Sequence, residues 1–175
     1  MDAPQEEPRW LDAEESQAWQ ALAKTLIRLP SALDARLRRD AGISHYEYTV
    51  LAALSQAPGR TLRMSALATQ TEGSLPRLSQ VVARLEQRGW VQRTPDPADG
   101  RYTLAIVTDE GRAKVAEAAP GHVEEVRRLV FDPLTKAQYR QLREIGRRIT
   151  RAIDPDDHCL DDHPLSTAMP AEVPS

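Results

Sequence analysis

The 175-residue chain holds one cysteine, Cys159, which excludes an internal disulfide framework and a cysteine-rich zinc module. No apolar run approaches the ~18 residues that a membrane span needs, so no membrane association is expected. The first residues, Met1 to Glu7, lack the basic and apolar regions of a secretory signal. None of the four histidines, His45, His122, His158 and His163, stands in a nucleophile, metalloprotease or phosphate-loop motif. No catalytic residue, cofactor or metal is therefore assigned. Basic residues are scarce at both ends: residues 1–23 hold six acids against one Arg, and residues 152–175 hold six acids and no Lys or Arg. The expectation is a soluble, cytoplasmic chain of about one domain.

The middle is the opposite of the ends. Residues 24–151 carry 22 basic and 14 acidic residues, a local charge of +8 inside an overall −3. A basic body suits a polyanion such as nucleic acid, against which the overall pI of about 5.8 would argue. A solvated helical surface of mixed charge is the plainer reading of the same numbers.

Residues 1–12 read as a loose acidic lead-in. From 13 to about 39, Trp19, Leu22, Leu26, Leu29, Leu33 and Leu37 recur at helical spacing, and Pro30 predicts a kink or break near Leu29. Ser44 and Glu47 form a capping box for a helix that stops before Pro58-Gly59. A short helix covers Met64–Gln70, Glu72-Gly73 makes a turn, and Ser74 caps a further helix that carries Pro76 in its first turn and stops before Gly89. Two strands follow, Trp90–Thr94 and Thr103–Val107, joined by the turn-rich tip Pro95–Tyr102. Thr108 caps the next helix, which Pro120-Gly121 is expected to interrupt. Thr135 and Gln138 open a last helix through about Ala152, with Leu142, Ile145, Ile149 and Ile153 on one face. From Asp154 onward periodicity ends, and 154–175 read as a disordered acidic tail. Within it His158, Cys159 and His163 sit among acids, a metal-ligand set by residue type alone; the plainer reading, adopted here, is a flexible tail.

Short helix, tight turn, helix and hairpin in that order make a winged helix-turn-helix, whose second helix enters the major groove while the hairpin reaches the backbone or minor groove. On the helix that Ser74 opens, Leu78, Val82 and Leu85 share one side, and Arg77, Gln80, Arg84 and Arg88 share roughly the other. Guanidiniums suit guanine edges and phosphates, and Gln suits adenine. The candidate DNA-binding residues are thus Ser74, Pro76, Arg77, Gln80, Arg84, Arg88 and, at the hairpin tip, Arg101. An ordinary amphipathic surface helix explains the polar face equally well without its neighbours. Asp96 and Asp99 flank the tip and would repel phosphate, so at least one is expected to orient an Arg or cap the turn.

The runs Leu62–Ala68, Arg84–Val91, Asp96–Arg101 and Leu104–Gly111, with Tyr46–Leu51 ahead of them, resemble a MarR-type transcriptional regulator. The resemblance covers about 13–153. It implies a mainly α fold with a small β-hairpin: a winged lobe over 44–111, and helices over 13–40 and 112–153 that interlock in a homodimer. It also implies a bacterial repressor or activator, acting on a palindromic operator in double-stranded DNA and responsive to a small, often aromatic, molecule or to oxidation. Two departures stand out. Gly100 occupies a wing position where the family commonly has a first Arg, leaving Arg101 alone. Cys159 lies in the acidic tail, far from the N-terminal helix where oxidation-sensing members carry their cysteine, and among carboxylates that disfavour a thiolate. Trp19, His45, Tyr46 and Tyr48 are the candidate effector-binding residues; core or dimer packing is their plainer role. The rival classes are an enzyme or enzyme-associated subunit, and a winged-helix module that binds protein.

Overall fold

The computed structural model describes residues 8–155; the tail residues with His158, Cys159 and His163 lie outside them. Helix α1 (Ala13–Ala41) starts at a capping box between Asp12 and Glu15 and ends at Gly42 in the left-handed conformation. It runs through Pro30 without the expected break near Leu29. Proline removes one backbone donor, the partner of the Leu26 carbonyl. That part of α1 is exposed, so water can meet the carbonyl.

Helix α2 (His45–Gln56) begins at the expected Ser44–Glu47 capping box. Strand β1 (Thr61–Arg63), helix α3 (Met64–Gln70), helix α4 (Leu75–Gln87), and strands β2 (Val91–Pro95) and β3 (Thr103–Val107) complete the lobe. The sheet is antiparallel in the order β1-β3-β2, with Thr61 opposite Ile106 and Val91 opposite Val107. The hairpin is thus part of a three-stranded sheet. The sequence reading missed β1, whose three residues are too few to display an alternation.

Helix α5 (Asp109–Val126) starts at Thr108, whose hydroxyl accepts the Gly111 N–H, and passes through Pro120-Gly121 without the expected interruption. A π-helical turn, Arg127–Phe131, follows before α6 (Lys136–Ile153), opened by the Thr135–Gln138 capping box.

One core joins these elements: Leu37 and Ile43 meet Val50, Leu51 and Leu54 of α2, Leu67 of α3, Leu78, Val82 and Leu85 of α4, and Val115 of α5. At the base of the hairpin, the Thr108 N–H donates to the Trp90 carbonyl at 3.0 Å and its hydroxyl to that of Gly89 at 2.7 Å. Gly111 packs so closely there that a Cβ would stand 2.2 Å from the Trp90 carbonyl oxygen. Helix α6 is different: none of its residues is buried, and Leu142, Ile145, Ile149 and Ile153 are all exposed.

Candidate nucleic-acid interface

The helix pair α3–α4 is held by its turn. Glu72 takes a positive φ of 51°, and the Tyr46 hydroxyl lies 3.2 Å from the Thr71 hydroxyl. A Cβ on Gly73 would meet the Tyr46 hydroxyl at 1.9 Å, so the turn closes directly over that ring. The Ser74 hydroxyl caps α4, accepting the Arg77 N–H at 3.4 Å, and Pro76 sits where no amide donor is required. Leu78, Val81, Val82 and Leu85 fix the helix to the core, and Pro76, Arg77, Gln80, Arg84 and Arg88 are exposed.

The arginines of α4 are steered from behind. The Arg77 guanidinium lies 4.3 Å from the centre of the Tyr46 ring. Arg84 Nε is 3.6 Å from the buried Glu47 carboxylate. Arg88 donates to the Gly42 carbonyl at 3.5 Å and lies 5.0 Å from the Trp90 ring centre. Burial opposes ionisation of Glu47, but hydrogen bonds from the Ser44 backbone and hydroxyl, with the charges of Arg88 and Arg84, outweigh it and hold the carboxyl below its ordinary range. Glu47 therefore stays anionic beneath two guanidiniums.

At the wing, both acids do what the sequence led us to expect. Asp96 is buried; its carboxylate accepts the Ala98 N–H at 2.9 Å and the Arg63 guanidinium at 2.7 Å, and Arg63 also stacks 4.5 Å from the Tyr102 ring centre. The Ala98 backbone bond leads in holding Asp96 below its usual range. Asp99 grips Arg101, accepting from its backbone N–H at 3.2 Å and from its guanidinium Nε and Nη2 at 2.9 and 2.6 Å, while Arg101 remains 84% exposed. A groove of about 360 Å³ runs between this wing and the start of α4, lined among others by Arg63, Leu75, Ser79, Arg93, Arg101 and Tyr102.

The four residues expected around an effector part company. Trp19 is exposed on α1, fifteen residues or about 22 Å along the helix from Asp34, the residue that accepts the His45 N–H at 2.8 Å. Tyr46 belongs to the α3–α4 turn. His45 and Tyr48 stay together, both against His122, with ring centroids 5.5 and 4.6 Å from it. Sequence reading passed over His122 because it follows the Pro-Gly pair taken as a helix end. Burial, with the neighbouring His45, pushes the His122 imidazole down to about 4, and its Nδ1 has no hydrogen-bond partner among the described residues. Burial also lowers His45, against the opposing charge of Asp34.

A lobe of this order, with an exposed, arginine-edged helix beside a β-wing, defines a winged helix-turn-helix protein. The family model described as MarR family matches residues 41–101. The solved structure of Sco3205, a MarR family transcriptional regulator from Streptomyces coelicolor in complex with DNA, is 44% identical, covers 89% of this chain and 98% of that one, and superposes with a TM-score of 0.82. AbsC, another MarR family regulator from Streptomyces coelicolor, is 31% identical over 85% of this chain and 100% of that one, with a TM-score of 0.80. CouR from Rhodococcus jostii, bound to p-coumaroyl-CoA, is 26% identical over 79% of this chain and 95% of that one, with a TM-score of 0.66. The chain belongs to the MarR family, whose members are transcriptional regulators and not enzymes. Among the described residues no helix is long and apolar enough to cross a membrane.

Proposed function

We propose that the protein is a homodimeric, cytoplasmic repressor that binds a palindromic operator in double-stranded DNA and is released by a small-molecule effector. The observation that carries the DNA reading is the outward face of α4, with Arg77, Gln80, Arg84 and Arg88 exposed and a serine-capped N-terminus at its tip. Such a helix end favours phosphate, and guanidiniums suit both phosphates and guanine edges. Arg77 is the candidate base reader of the first turn, and Arg101 acts from the wing on the narrow, electronegative minor groove. The likeness to Sco3205, solved with DNA, supports the same reading.

Dimerisation follows from the apolar face of α6, which the described residues leave exposed, together with Leu26 and Ile27 exposed on α1. A partner places two α4 helices about 34 Å apart, one duplex turn, to enter successive major grooves. The effector reading rests on His45, Tyr48 and His122, an aromatic cluster where α1, α2 and α5 meet. CouR, with its bound coenzyme A thioester, is a relative that supports it. An effector shifts DNA affinity only by binding one helix separation better than the other.

The test begins with selection of bound fragments from a random duplex pool. A recovered palindrome, bound by a species of about 39 kDa or twice the 19.5 kDa chain, is the expected result. Compounds that lower affinity for that duplex then identify the effector. Uniform weak binding to all DNA, or a monomer at micromolar concentration, would sink the reading.

A further inference from the structure

Leu75 is the first residue of α4, follows the cap, and leaves 49% of its surface exposed. The other large apolar side chains of that helix, Leu78, Val82 and Leu85, are fully buried. Between residues 44 and 111, the large hydrophobic side chains that stand exposed are Leu75 and Tyr102, and both line the groove between α4 and the wing. Among the described residues the groove wall carries three guanidiniums, of Arg63, Arg93 and Arg101, and no carboxylate. Their carboxylate partners are Asp96, Glu86 and Asp99. The rim is thus made of ion-paired guanidiniums, polar and rich in N–H donors, which suits the acceptor oxygens of duplex DNA better than an apolar helix or chain segment. Within the major groove the apolar feature of a base edge is the thymine 5-methyl group.

The geometry also separates Leu75 from the arginines. Arg77 lies on Tyr46, Arg84 on Glu47, and Arg88 against Gly42 and Trp90, so these three lean toward α2 and the base of the hairpin. Leu75 and the half-buried Ser79, one turn apart, face the wing instead. We propose that Leu75 is a specificity-determining residue that reads a thymine through its 5-methyl group, from the wing-side edge of α4. This rests on the DNA-binding function proposed above, and adds to it the base and the group that one apolar side chain recognises. Leu75 discriminates by burying a methyl, and makes no hydrogen bond.

Removing one methyl tests this without altering base pairing. In the duplex recovered by selection, each thymine is replaced in turn by deoxyuridine, and binding of the full chain is compared with that of Leu75→Ala and Leu75→Met. Burial of a methylene-sized group is worth ~0.8 kcal/mol, or about fourfold in affinity per half-site. The natural chain is expected to lose that factor at one thymine position per half-site. Leu75→Ala should lose a similar factor on the thymine duplex and be indifferent to the uridine change there. Leu75→Met, apolar and of similar size, should recover the discrimination. Since Leu75 is half exposed, unchanged melting of both variants is expected and checks that they fold. If the natural chain binds the site but no uridine position matters, or if Leu75→Ala retains the same uridine sensitivity, the assignment of Leu75 is overturned while DNA binding stands. If no duplex is selected at all, both fall together.

Discussion

In the winged lobe the large apolar side chains turn inward onto one core, with Leu75 and Tyr102 as the exposed exceptions. In α6 the apolar side chains form a stripe that the described residues leave largely exposed, none of it buried. Both regions carry capping boxes, at Ser44 and at Thr135, so both are equally well specified as helices. They differ in where the burial that stabilises a helix comes from. The lobe supplies its own, and the outer helix lacks it until a second surface arrives. Local helix signals thus fix where a helix begins, and say nothing about which chain its apolar face will meet.

The most disruptive way to test that contrast is to charge the stripe. Ile145→Asp with Ile149→Asp should convert a species of about 39 kDa into the 19.5 kDa chain in sedimentation, leave the lobe folded, and weaken operator binding at least ~100-fold through lost bivalency. A cut into the lobe should do the converse. Leu85→Ala, beneath α4 and fully buried, should cost about 2–5 kcal/mol in denaturant unfolding without splitting the dimer.

The junction between the two regions gives a smaller, pH-dependent effect. His122 has a folded value of about 4, below its ordinary 6.5, so between those values the unfolded chain binds the extra proton. Stability contributed by the neutral imidazole is therefore complete above about 6.5 and falls as pH drops toward 4. A loss of about 2–3 kcal/mol is expected across that window, and His122→Phe should flatten it in melts taken at successive pH values. Smallest of all is the wing. Arg101→Ala should weaken binding on selected and scrambled duplexes alike and lower the slope of log affinity against log salt by about one, read from titrations at several salt concentrations.

Features that depend on a few adjacent residues were legible in the sequence. The Ser44, Ser74, Thr108 and Thr135 caps, the Glu72-Gly73 turn and the β2–β3 hairpin all stand where residue chemistry put them. Pro30 and Pro120 do not end their helices because a proline penalty is local, whereas each long helix has many other bonds and an exposed face where one carbonyl can be solvated. Strand β1 exists through its pairing with β3, forty residues away, and three residues carry no pattern of their own. For the interface, the helical period correctly turned Arg77, Gln80, Arg84 and Arg88 outward. It had no means of showing that Tyr46 and Glu47, from α2, hold two of those guanidiniums, or that Leu75 and Tyr102 share a groove. Such contacts are decided by how elements cross.

Gly111 has a mechanical consequence. With the Trp90 carbonyl 2.2 Å from where a Cβ would stand, and Thr108 bonded to both Gly89 and Trp90, the first turn of α5 and the root of the wing form a weld. The end of α4 runs into the same joint, since the Trp90 N–H donates to the Leu85 carbonyl at 3.0 Å and the Gly89 N–H to that of Glu86 at 2.9 Å, while its outer face is tied to α2 by a stacked ring and an ion pair. The last turn of α4, the root of the wing and the first turn of α5 thus share one joint, so a rotation of α5 would reach the wing and the end of α4 together, as through a single hinge plate.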